Sequence, residues 1–209
     1  MISRSLASFM FMTSRIVFLL FYLTSLISLE TFAGTPDRGP KGLGSVLIFS
    51  GTGWYRDGGA IVALHAALVH QEGWPWLQGL AGCDFNSDSE YLKAKVVVDP
   101  KARNHPSVKG FGKAFWYTAD STNYDKSVTG LEGLQVLLRI DESTFEPVRE
   151  YFQTRGGKAM GEDHPIAWIR EYDGGRFFYT EFGHDVRSLD TKFGRQHIIE
   201  GIRWAAVDH

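Results

Sequence analysis

Cysteine is almost absent: Cys83 is the only one in 209 residues, so no disulfide can close within the chain and stability must come from a packed core. A thiolate zinc site is excluded for the same reason, and Cys83 itself reads as a small buried apolar residue rather than a nucleophile. A surplus of charge is also missing. The formal net charge is −2 and the pI is near 6.4. No run of Lys or Arg interleaved with aromatics supplies a face for phosphate backbones, so nucleic acid is not an expected partner. There is no Walker loop, no complete Gly-x-Gly-x-x-Gly and no His-Glu-x-x-His. Internal repeats and low-complexity tracts are absent as well.

Long hydrophobic runs occur only at the front. Arg4 and Arg15 precede the uncharged stretch Ile16 to Leu29, which is followed by Glu30 and then Thr31-Phe32-Ala33, a pattern suited to signal peptidase. Residues 1–33 therefore read as a cleavable export signal, with periplasmic or secreted localisation and no membrane contact after cleavage. The alternative is an anchor formed by residues 9–29, which Thr13-Ser14-Arg15 interrupts before it spans a bilayer. Residues 34–44, rich in Gly and Pro, read as a flexible linker, and residues 45–207 as one domain. The composition, 44% hydrophobic and 22% charged, is that of an ordinary globular chain.

Ser45 to Ser50 and Ala60 to Leu64 are short apolar runs of the kind that form strands buried on both faces. The second runs straight into His65-Ala66-Ala67-Leu68, which places His65 on a tight elbow after the strand. Further strands are expected at Lys95 to Val98, Gln135 to Ile140, Ile166 to Arg170 and Arg176 to Phe182, the last introduced by Asp173-Gly174-Gly175. Ile198, Ile199, Ile202, Ala205 and Ala206 share a helical stripe suited to covering a sheet.

Several strings, in order, carry a resemblance. They are Gly51-Thr52-Gly53-Trp54-Tyr55-Arg56, Gly58-Gly59-Ala60-Ile61-Val62-Ala63-Leu64-His65, Trp74-Pro75-Trp76, His105-Pro106, Asp141-Glu142-Ser143-Thr144, Met160-Gly161-Glu162-Asp163-His164-Pro165, Gly174-Gly175-Arg176-Phe177-Phe178-Tyr179-Thr180, Phe182-Gly183-His184 and Gly201-Ile202-Arg203-Trp204. Together they resemble the ThuA-like (trehalose utilisation) family of the class I glutamine amidotransferase-like superfamily. Strands alternating with helices near the start and a strand-rich centre favour a mainly parallel sheet with an inserted or appended antiparallel portion, and the resemblance implies an α/β fold of amidotransferase-like or flavodoxin-like type, its mainly parallel sheet flanked by helices. In the family, two β/α units separate the first strand from the His-bearing elbow. Here Arg56 joins Asp57 almost directly, so the fold is expected to lack about two β/α units near the N-terminus. Gly51 to Gly59 is too short for a parallel crossover: either these strands pair differently or a segment is missing. A sheet shortened in that way is expected to self-associate.

The family pattern also implies an adjacent Asp-Glu pair. Asp120 matches its first member, whereas Ser121 stands where the glutamate is expected. His65 occupies the elbow where related amidotransferases carry a cysteine, so glutaminase chemistry is not expected. His65, His184 and Asp120 form the expected catalytic set, the two histidines handling protons or holding a divalent metal. Tyr55, Arg56, Trp74, Trp76 and His164 are the candidate substrate-binding residues. Core packing is the competing reading for the tryptophans, and a turn role the competing reading for His164 before Pro165. What the resemblance implies is an exported protein acting on or binding a small carbohydrate of trehalose or keto-sugar type, as a hydrolase or isomerase. The alternatives are a non-catalytic sugar-binding or interaction module and an inactive abbreviated derivative.

Overall fold

The computed structural model describes residues 46–50, 59–69, 71 and 73–206, so the expected export signal, the linker, Tyr55 and Arg56 lie outside the described residues. The description concerns the compact unit Leu43–His209. Among the described residues no helix is long and apolar enough to cross a membrane.

Seven strands form one sheet: β1 (Val46–Ser50), β2 (Ala60–Leu64), β4 (Leu92–Val98), β5 (Ala114–Ala119), β7 (Leu134–Asp141), β8 (Pro165–Tyr172) and β9 (Gly175–Thr180), in the order β1-β2-β9-β8-β7-β4-β5. Two more, β3 (Phe85–Asp88) and β6 (Thr122–Tyr124), pair antiparallel as a separate ribbon. The helices are α1 (Pro75–Ala81), α2 (Glu150–Gln153), α3 (Val186–Leu189) and α4 (Lys192–Ala206).

The expectation of a mainly parallel sheet is corrected here. Only β2 and β9 run parallel; the other five neighbouring pairs are antiparallel. A parallel pair needs a crossover, usually a helix, and between β3 and β9 the only α-helix is the four-residue α2. The β8–β9 link is a two-residue turn, Asp173-Gly174, with φ of 49° and 84°, the pair of positive values that a type I′ hairpin requires. β1 pairs with β2 antiparallel, so the short Gly51 to Gly59 connection needs no parallel crossover.

Both faces of the β2–β9 centre are covered, which explains its unbroken apolar run. Ala60, Val62 and Phe178 face one core cluster with Ile198 and Ala205 of α4. Ile61, Ala63, Phe177 and Tyr179 face the other, with Leu77, Leu80 and Ala81 of α1. Cys83 lies in this second cluster, 4% exposed, and burial pushes its thiol far above the usual range.

The helix α4 is present and buries Ile198 and Ala205 of the expected stripe, with Ile202 packed against the same cluster, but its inward face is not centred on that stripe. Gly194, His197, Ile198, Gly201 and Ala205 face inward, at intervals of three and four, while Ile199 is 43% exposed. The cause is a close approach: a Cβ on Gly201 would run into the ring of the fully buried Phe178. His197 sits on the same inward face, Nδ1 donating to Ser107 O at 3.1 Å and Nε2 accepting from Thr180 Oγ1 at 3.1 Å. Burial pushes its ring down to about 3.

Gly201→Ala should therefore destabilise the chain. Better helix propensity returns about 1 kcal/mol, but overpacking against a fixed core ring costs about 1–3 kcal/mol. Chemical denaturation is expected to show a net loss, and a gain in stability would mean that α4 packs by another face.

Candidate functional site

Strand direction puts three chain ends together. β2 and β9 run parallel and in register, Leu64 opposite Thr180, so the residues that follow them emerge at one edge of the sheet. Counting reversals across β8, β7 and β4 gives β5 the same direction, so Asp120 emerges at that edge too. In a flat sheet β5 would lie four strand spacings from β9, roughly 19 Å away. Instead Tyr117 of β5 stacks on Phe182 just after β9, ring centroids 4.1 Å apart, so the sheet curls until its far edge meets the exit of β9.

Each functional side chain is held locally. His65 has φ of 47°, left-handed for a non-glycine residue, and opens a 3-10 turn over His65–Leu68. Its carbonyl accepts from Tyr179 Oη at 3.0 Å, and Tyr124 Oη donates in turn to Tyr179 Oη. Gly183, at φ 116°, makes the sharp exit that presents His184. The turn bearing Asp120 is pinned through Ser89: its N–H donates to Ser121 O and its hydroxyl accepts from Ser121 N, both at 2.9 Å.

The three side chains converge on one point. Asp120 Oδ2 lies 2.5 Å from His184 Nδ1 and 3.3 Å from His65 Nε2, and the two ring nitrogens are 3.1 Å apart. The rings meet edge to face at 4.2 Å. Burial alone would raise the Asp120 carboxyl, but the hydrogen bonds from His184 and His65 outweigh it and hold the group well below the usual carboxylate range. The same hydrogen bond raises the His184 ring above its ordinary value, against the opposing effect of partial burial. Asp120 Oδ1 makes no hydrogen bond among the described residues.

A second carboxyl stands beside Asp120, and reading the sequence missed it. Glu181, 3% exposed, accepts from Ser121 Oγ at 2.8 Å through Oε2. Burial pushes it well above the usual carboxylate range despite hydrogen bonds from Ser121 and the Thr122 backbone. Ser121, where a glutamate was expected, thus has a carboxyl from the end of β9 against its hydroxyl. The available signal was an acidic residue directly after Phe177-Phe178-Tyr179-Thr180 and directly before Phe182-Gly183-His184. Asp120 and Glu181 both line a cavity of about 10 Å³ beside Tyr117, Ile140 and Ile166, room for roughly one water.

The remaining candidates lie elsewhere. His164 is fully buried, with Nδ1 2.7 Å from Glu142 Oε1 and Nε2 2.9 Å from Thr122 O and 3.3 Å from Ser121 Oγ, so it ties the Glu142 turn to the segment after Asp120 without reaching the two histidines. Glu142, also missed, ties the same loop through the N–H groups of Met160 and Gly161. Trp76 donates to Asp173 Oδ2 at 2.7 Å and packs edge-on against Tyr172, at the β8–β9 turn. That turn is the opposite end of β9 from His184, roughly 17 Å of strand away. Trp74 pairs with Trp76 there and is half exposed. The cluster is therefore His65, Asp120 and His184, without the tryptophans or His164.

The sequence that builds this arrangement matches a known family: the model described as trehalose utilisation covers residues 52–205. The chain belongs to the ThuA family. Two solved structures share the ThuA fold. One, described as a ThuA-like protein from Bacteroides uniformis, superposes with a TM-score of 0.59 at 21% identity, covering 73% of this chain and 60% of that one. The other, likewise described and from Parabacteroides merdae, gives 0.53 at 18% identity, with 74% and 62% covered. The chain thus spans about three fifths of the length of these ThuA-like relatives. No curated protein matches it.

In chelator-treated protein, the His184 ring should titrate above about 6.5, the ordinary histidine value, because it is charged more easily beside Asp120. In Asp120→Asn the midpoint should fall. Proton NMR of the ring C–H resonances checks this, and an unchanged midpoint would mean the two groups are not paired.

Proposed function

We propose that this ThuA protein acts on a small hydroxyl-rich substrate, a sugar or keto-sugar, by proton transfer at the His65–Asp120–His184 cluster. The observation that carries the reading is the convergence of two imidazoles and one buried carboxylate at the ends of three co-directional strands. Strand ends at one edge of an α/β sheet are where such folds bind ligands. The family description, trehalose utilisation, supports carbohydrate as the substrate class.

The chemistry follows from the charges. Asp120 is ionised and buried, so it orients His184 and stabilises its protonated form. A His184 ring that can accept a proton and hold it beside Asp120 serves as a base towards a hydroxyl, or towards a C–H made acidic by a neighbouring ketone, and returns the proton to a leaving oxygen. Hydrolysis and isomerisation of a keto-sugar both need that exchange. His65, its side chain 13% exposed, faces the same carboxylate oxygen and fixes its position. A glutaminase role is not part of the reading, since the elbow carries His65 and Cys83 is buried in the core.

Export by residues 1–33 belongs to the same reading, which places the substrate outside the cytoplasm. So does the loss of about two β/α units between Arg56 and Asp57, supported by the chain spanning about three fifths of its structural relatives.

Turnover of keto-disaccharides and their parent sugars, followed by chromatography of the products, tests the proposal. Asp120→Asn and His184→Gln should each lower the rate by about 10² to 10⁴, the usual worth of a positioned acid–base group. Turnover unchanged in both variants would remove the cluster from the chemistry, and binding of the sugars without turnover would favour the non-catalytic sugar-binding module.

A further inference from the structure

The geometry points to a divalent transition-metal site formed by His65 Nε2, Asp120 Oδ2 and His184 Nδ1. The inference rests on reading this cluster as the acting site and goes beyond it by naming the ligand.

Three donor atoms from three separate elements face one point, all within 4.8 Å of one another. Nitrogen and oxygen ligands about 2.0 to 2.1 Å from a tetrahedral zinc-like ion lie about 3.3 Å apart. Two of the three separations here, 3.3 and 3.1 Å, already match that spacing. The third, 2.5 Å between Asp120 and His184, is a hydrogen bond that opens when the shared proton leaves and an ion takes its place.

Two imidazoles and one carboxylate suit zinc, cobalt, nickel or iron(II) rather than magnesium or calcium, which prefer oxygen. Three protein ligands leave a fourth position, as catalytic rather than structural sites do. Of the three, His184 is the one nearest solvent, its side chain 28% exposed against 13% for His65 and 9% for Asp120. An independent observation agrees. Asp120 is 8% exposed, yet Oδ1 makes no hydrogen bond among the described residues, so a buried carboxylate keeps a free oxygen beside the point of convergence. An ion there would polarise a carbonyl or hydroxyl oxygen of the substrate.

The test uses the full chain, stripped with chelator and carrying no affinity tag, titrated calorimetrically with Zn²⁺ and spectroscopically with Co²⁺. One ion per chain should bind, with a rise in melting temperature and visible absorption from the Co²⁺ form. His65→Asn keeps the left-handed elbow, which asparagine tolerates, and His184→Gln alters a partly exposed ring. Each should weaken binding by at least the roughly tenfold to hundredfold typical of losing an outer-sphere partner. His105→Asn, which removes a histidine away from the cluster but leaves a group able to cap Ser107, should leave binding unchanged. Absence of one-to-one binding at about 0.1 mM metal, or equal affinity in His65→Asn, overturns the inference. The two readings fail separately. Sugar turnover that survives chelation, with no metal bound, sinks the metal site and leaves the proton-transfer proposal; one-to-one binding without turnover of any sugar does the reverse.

Discussion

The carboxylate of Asp120 holds together parts of the chain that the sheet alone would keep apart. It comes from the far edge of a seven-stranded sheet, while its two partners come from the only parallel pair. The contact exists because the sheet curls and Tyr117 stacks on Phe182. The curl places the carboxylate 8% exposed, and a buried charge is tolerated only with partners, which the two imidazoles supply. Position and charge state thus depend on one another: the fold brings Asp120 in, and the histidines keep it ionised.

The surroundings divide the work between two carboxyls. Asp120, hydrogen-bonded by two rings, is held below the usual range, whereas Glu181, buried against a hydroxyl and a backbone N–H, is pushed above it. The two neighbouring carboxyls are shifted in opposite directions, the separation by environment that acid–base sites use. Ser121 touches Glu181 with its hydroxyl and follows Asp120 in sequence, so the residue that looked like the loss of a carboxylate is the link between two.

What could be read from the sequence was local. The apolar run Ala60 to Leu64 and the elbow at His65 follow from residue type, and the structure has a strand with those bounds and a left-handed φ at His65. The turn at Asp173-Gly174-Gly175 ahead of β9 was legible in the same way. Strand direction was not, because it depends on connections rather than on the residues within a strand, and the alternation of strands and helices near the start, like the family resemblance, suggested a mainly parallel sheet that the short links do not allow. The strands β3, β5 and β6 were missed. In β5, Ala114-Phe115-Trp116-Tyr117 hides alternation that only burial reveals: Phe115 and Tyr117 are buried and Trp116 is 55% exposed. The face of α4 was read only in part: Ile198 and Ala205 stood in the expected stripe, whereas Gly201 and His197 carry no hydrophobic signal although both are buried. Among site residues, His65, Asp120 and His184 were named individually, but their meeting required the curl. Trp74 and Trp76 carried a sugar-stacking signal and lie at the opposite end of β9.

The claim that Asp120 and His184 form one coupled unit is tested most directly by a double-mutant cycle on unfolding free energy, with Asp120→Asn, His184→Gln and the double variant. A charge-assisted hydrogen bond in a largely buried setting should give a coupling of about 1.5 to 3 kcal/mol. Single-variant effects that add to within about 0.5 kcal/mol would show that the two side chains do not interact, and the account of the site would be contradicted.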